Sequence, residues 1–190
     1  MDSLKQRNTI FFSLILVVAF ISRLIPHPPN FTAVGALLLV GTAVAGRKYL
    51  VPLMAIGVYF LSDLILNNVI YSQFFDSFTV VSPIFIFIAL SYLAIFVIAR
   101  FILSSLKPGR LLIAAVFSSI AFFLVSNLGV WWIGAGYPHT PEGLMAAYTA
   151  ALPYLSYDFL ANILFGLAFT SLYSRVAEGK WSLFPDTEAV

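Results

Sequence analysis

The chain has 190 residues, of which 61% are hydrophobic and only 9% charged, with a mean hydropathy of +0.99, whereas soluble domains carry about 25% charged residues. That composition excludes an ordinary soluble domain and implies an integral membrane protein. A net charge of +2, with its cations scattered at segment ends, excludes a nucleic-acid surface, and the absence of cysteine excludes disulfides, thiolate chemistry and cysteine metal sites.

Taken in chain order, the first apolar run is 10–21, preceded by Lys5 and Arg7. Its charge pattern is that of a signal peptide, but no small-x-small cleavage site follows, so it is read as a retained first span over 8–25. Arg23 ends that span. A connection over 26–31 follows, in which His27 and Asn30 stand among three prolines that fix backbone shape without adding hydrogen-bond donors.

A crossing helix needs about 20 mostly apolar residues, and further spans are expected over 32–46, 49–67, 79–103, 111–133 and 156–174. The second is short. Its Gly35, Ala36, Gly41, Ala43, Ala45 and Gly46 predict close helix packing. Before the last span, residues 139–152 have helix-start chemistry, with Thr140 as N-cap, Pro141 at the first helical position and Glu142 at the positive end of the dipole. Pro153 is expected to interrupt this segment, which reads as a short amphipathic helix lying at the outer surface or folding back as a lid.

The fold class is thus all-α, a single transmembrane domain over 1–190 with six transmembrane helices, N-in and C-in. This arrangement puts Lys5, Arg7, Arg47, Lys48, Arg100, Lys107, Arg110, Arg175 and Lys180 at inner ends and leaves Arg23 alone outside. Nine of the ten cations then follow the positive-inside rule. A multi-pass protein of a bacterial cytoplasmic membrane is the corresponding localisation, with the lipid bilayer as its first partner.

The polar residues within spans collect in the outer half. Asp63 and Asn67 end the third span, Asn127 lies late in the fifth, and Asp158 and Asn162 open the sixth. Each Asp–Asn pair is four residues apart and shares a helix face. At membrane depth such residues face a cavity or a polar partner, so two readings stand. They line a binding cavity, or Arg23 pairs with Asp63 or Asp158 and the asparagines join helices.

Trp131 and Trp132 sit at the outer boundary with Tyr71 and Tyr137, either as an aromatic belt or as a stacking surface. His27 and His139 lack metal-ligand spacing, so no metal or cofactor is expected. No HExxH, P-loop or GxSxG motif is present, and no helix face carries paired carboxylates, so an enzyme is the least supported class. The candidate binding residues are Arg23, His27, Asn30, Asp63, Asn67, Asn127, Trp131, Trp132, His139, Asp158 and Asn162.

The segments "SRLIPHPPNFTAVGALLL", "YFLSDLILN" and "SNLGVWWIGAGYPHTPEGLMAAYTAALPYL" carry a resemblance to an uncharacterised family of bacterial membrane proteins described as candidate transport proteins. That family in turn resembles, more loosely, the six-helix substrate-binding S-components of energy-coupling-factor vitamin transporters, including solitary cobalamin-uptake members. The resemblance implies cytoplasmic termini, a vitamin or other small solute caught from outside under the first, third and fifth connections, and an energising transmembrane and ATPase module. That module would dock on small residues such as those of the second span. One departure is plain: Ala147 precedes Tyr148 where a cysteine is usual, so cobalt ligation by cysteine is closed to this chain. The alternative function is a structural or accessory subunit of a larger membrane complex with no ligand of its own.

Overall fold

The structure, a computed structural model, describes residues 2–45 and 49–177. Over these residues the chain is all-helical and without strands, with six α-helices: α1 Asp2–Leu24, α2 Val34–Ala45, α3 Leu50–Ile65, α4 Phe85–Ile102, α5 Pro108–Trp132 and α6 Pro141–Ala177. Five of the six are long and apolar enough to cross a bilayer, α3 together with the helical turn that extends it to Ile70. By length and composition the chain is a multi-pass membrane protein. Its outward faces agree, because Leu53, Ile86, Phe101 and Leu164 are exposed while Ser62, Ser91, Ser118 and Asn162 are fully buried.

The short helix α2 is the centre of the fold. Its 12 residues rise about 18 Å, less than the roughly 30 Å of a hydrocarbon core. Residues Val34 to Thr42 are all buried, with α1, α3, α4, α5 and α6 packed around them. The small residues in the buried part of this segment are therefore spent on contacts within the chain. Glycine and alanine serve here to let five helices approach one, and Gly35, Ala36 and Gly41 offer no outer face. Gly46, Arg47, Lys48 and Lys180 lie outside the described residues.

The proline-rich connection folds back toward the core rather than capping it from above. Ala33 N–H donates to Ser22 Oγ at 3.0 Å, so α2 starts level with the last turn of α1. Asn30 makes the reversal with a φ of +64°, a left-handed conformation that asparagine tolerates better than most side chains. Phe31 N–H donates to Pro28 O, and the Phe31 ring packs on Phe165 of α6 at 5.8 Å.

Two boundaries differ from those expected. The fourth helix begins at Phe85 rather than near 79 because Asn68 holds the preceding segment in place. Its amide donates to Leu64 O and Thr79 O at 2.9 and 2.8 Å, and its carbonyl accepts from Thr79 N–H at 2.7 Å. The separate outer helix is not found either: α6 runs unbroken through Pro153 for 37 residues. A proline removes one i→i−4 bond, and here contacts with α5 outweigh that loss. Tyr148 Oη donates to Leu124 O at 2.7 Å and its ring packs on Phe123, while Ala147 and Ala151 are buried. The cap itself is as expected, with Gly143 N–H donating to Thr140 Oγ1 at 3.2 Å.

At the opposite end of the molecule, Arg7 Nη1 donates to Ala177 O at 2.8 Å. The start of α1 and the end of α6 therefore share one end. A cation on the last carbonyls of a helix also suits its dipole.

Candidate functional site

Arg23, in the last turn of α1, is held by α3. Its Nη2 donates to Asp63 Oδ1 at 3.0 Å, its Nε donates to Ser62 Oγ, and its guanidinium lies 4.1 Å over the ring of Tyr59. The remaining oxygen of Asp63 accepts from Ser82 Oγ at 2.8 Å and from Asn67 Nδ2 at 3.4 Å. Both charges are nearly buried, with side-chain exposures of 13% and 9%. This network joins α1, α3 and the segment before α4, and each oxygen of Asp63 is occupied. The i, i+4 spacing did place Asn67 on Asp63, as a support.

A second polar group belongs to α6. Asn162, completely buried, donates through Nδ2 to Asp158 Oδ2 and to Ser119 Oγ of α5, both at 2.9 Å. Asp158 is 8% exposed, and among the described residues no cation lies within ion-pair distance of it. The Oδ1 of Asn162 has no hydrogen-bond partner and faces Gly35 of α2.

Between these two groups lies a cavity of about 240 Å³. Arg23, His27, Asn30 and Asp158 all line it, and Tyr59, Tyr71, Tyr92 and Phe122 supply aromatic wall. Tyr71 reaches it because α3 ends in a wider π turn over Leu66–Ile70, in which Tyr71 N–H donates to Leu66 O. Such a turn shifts the face that the following residues present, and π turns recur at functional sites. His27 Nδ1–H donates to Pro28 O at 2.7 Å, so Nε2 is the ring nitrogen outside that bond. Thr32, just before α2, and Gly35, in its first turn, add to the near wall.

A second space of about 330 Å³ adjoins the first and shares Asn30, Ile88 and Phe122 with it. Asn127 lines it together with Ser126, Tyr137 and Tyr154, although the Asn127 amide is bonded to Phe123 O in its own helix at 2.8 Å.

Of the eleven candidate residues, then, four line the central cavity, Asn127 lines its neighbour, and Asp63, Asn67 and Asn162 act from behind the wall. Trp131, Trp132 and His139 stand apart. Trp131 Nε1 donates to Pro138 O at 2.9 Å, His139 Nε2 meets Trp132 O at 3.0 Å, and the Trp131 and His139 rings meet edge-on at 5.4 Å. These contacts close the turn between α5 and α6 on itself. The sequence reading missed Tyr59, Tyr92, Ser62, Ser82 and Ser119. Ser82 lies in the segment before α4, and the other four lie on helix faces whose polarity is masked by apolar neighbours, where the signal was periodicity: Tyr59, Ser62 and Asp63 recur at helical spacing.

No curated protein and no solved structure matches the chain. A family model described as a family of unknown function, DUF6580, matches residues 2–183, nearly the whole length, and the chain belongs to that family.

Proposed function

We propose that the protein is a membrane transport protein, S-component-like, that captures a vitamin-like or other small solute from the outer side of a bacterial cytoplasmic membrane. One observation carries this reading. Four polar residues singled out on the outer side, Arg23 and Asp158 in spans and His27 and Asn30 in the first outer connection, line a single cavity with four aromatic rings. Concave sites with apolar walls and a few convergent polar groups are what small-molecule binding requires.

In this reading all six helices belong to the membrane domain, both termini are cytoplasmic, and α2 is sheathed by the other five. The shared end of α1 and α6 at Arg7 and Ala177 supports an even number of crossings. An energising transmembrane and ATPase module remains part of the proposal. Its docking face would have to lie on the lipid-exposed sides of the outer helices, since α2 is enclosed.

The second reading, an accessory subunit of a larger membrane complex, draws on the Arg23–Asp63 network, in which the charges satisfy one another. The two are separated by screening the purified full chain for thermal stabilisation by vitamins, corrinoids and other small solutes, then repeating each positive with Asp158→Ala and Tyr92→Ala. Stabilisation by at least one solute that both variants abolish supports capture in this cavity. Absence of stabilisation across the panel favours the accessory subunit.

A further inference from the structure

We infer that the central cavity selects a compact organic cation, with Asp158 as its counter-charge and the surrounding rings as its walls. The inference rests on the solute-capture reading and narrows its substrate class.

The charges around the cavity do not balance. Arg23 is compensated by Asp63 at 3.0 Å and stacks on Tyr59. Asp158, on the α6 wall, has Asn162 Nδ2 as a hydrogen-bond donor at 2.9 Å, but among the described residues no Lys, Arg or His within ion-pair distance. The Nδ1–H of His27 is committed to Pro28 O. Asp158 is therefore the acidic group of the cavity wall that has no cationic partner among the described residues.

A carboxylate buried at membrane depth is costly until a proton or a cation joins it, and the cavity is where an organic cation has room to do so. The remaining wall suits the same ligand. Tyr71, Tyr92 and Phe122 line the space with Asp158, and aromatic faces attract desolvated ammonium groups. An anion entering here would meet Asp158 without a free cation to offset it.

Volume limits the ligand. About 240 Å³ equals roughly eight water molecules at ~30 Å³ each, the scale of a single-ring amine or a small quaternary ammonium. A longer cation would extend past Phe122 and Asn30 into the adjoining 330 Å³.

The test uses the purified full chain in detergent, with thermal unfolding followed by tryptophan fluorescence. Benzylammonium and choline are the cationic probes, and benzyl alcohol and benzoate are their neutral and anionic counterparts. The expected result is stabilisation by the cations at concentrations at least tenfold below any effect of benzyl alcohol, lost in Asp158→Asn and retained in Asp158→Glu. Equal stabilisation by benzylammonium and benzyl alcohol, undiminished cation binding in Asp158→Asn, or no stabilisation by either cation would overturn the inference. If Asp158→Asn does not fold, the comparison of probes on the unaltered chain decides the matter. Stabilisation by benzoate, benzyl alcohol or a neutral vitamin alone, abolished by Tyr92→Ala, overturns the cation preference and leaves solute capture standing. No binding by any solute removes both.

Discussion

Gly35 of α2 and Asn162 of α6 are in direct contact, so close that a β-carbon at position 35 would overlap the Asn162 amide oxygen. The same amide donates to Asp158 and Ser119 through its nitrogen. Packing between two helices is thereby linked to the orientation of the carboxylate in the cavity wall. Gly35→Ala is expected to displace Asn162 and to destabilise the protein by about 1–3 kcal/mol, the usual cost of overpacking a closed core. Adding Asn162→Ala should recover part of that loss, because the obstructing side chain is then gone. Thermal unfolding of the two single variants and the double variant measures the coupling. Additive losses would show that the contact is not the cause.

The Arg23–Asp63 pair is expected to be structural, with little direct part in ligand contact. Asp63→Ala leaves a nearly buried guanidinium without its carboxylate, a change that costs about 3–5 kcal/mol where a buried pair is broken. Arg23→Ala should cost a similar amount by stranding Asp63. The pair Arg23→Met with Asp63→Leu should be closer to the unaltered protein than either single variant, since well-packed apolar residues replace buried ion pairs at little cost. Unfolding of the purified protein in detergent gives the order. Solute binding retained by the double variant would confirm that Asp158 carries the recognition.

The unbroken α6 predicts a distance. Met145 and Leu164 are both exposed and stand on either side of Pro153, 19 residues apart. A continuous helix separates them by about 28 Å along its axis at 1.5 Å per residue. Spin labels at these two positions should report a single distance near that value, adjusted for the label arms. A surface helix folded back at Pro153 would give a markedly shorter one. Tyr148→Phe is expected to broaden the distribution, because its hydroxyl bond to Leu124 O fastens the first turns of α6 to α5.

How far the sequence could be read follows from the same examples. The helical class, the long apolar segments and the gathering of Arg23, His27, Asn30 and Asp158 on one side were legible, because membrane depth makes the positions of Arg23 and Asp158 informative and the topology puts the connection that carries His27 and Asn30 on the same side. The Thr140 cap was legible from local chemistry. The continuity of α6 was not, since proline's helix-breaking tendency is local and the Tyr148–Leu124 bond that offsets it joins residues 24 apart in sequence. Nor was the role of Asn68, whose hold on Thr79 depends on a loop closing back. Trp131 and Trp132 read as a belt or as a stacking surface, and His139 as a loop contact, whereas the bonds from Trp131 Nε1 to Pro138 O and between His139 Nε2 and Trp132 O tie them into their own turn. The enclosure of α2 was also beyond reach, because a glycine- and alanine-rich segment looks alike whether it meets its own helices or a partner's.

The proposed six crossings make a prediction that the composition renders unusually clean. The chain has no cysteine, so single cysteines can be introduced without background. Phe74 and Phe101 are both strongly exposed and lie at opposite ends of the hairpin formed by α3 and α4. In cells, Phe74→Cys should react with a membrane-impermeant maleimide added outside, and Phe101→Cys should react only after the membrane is permeabilised. A cysteine replacing Met145, beyond the crossing portion of the 37-residue α6, should react from outside as well. At about 55 Å that helix exceeds the hydrocarbon thickness by some 25 Å, so one end must project. Labelling of Met145→Cys only after permeabilisation would reverse the assignment of the projecting end. It would also move the mouth of the cavity to the cytoplasmic face and turn the proposed direction of capture around.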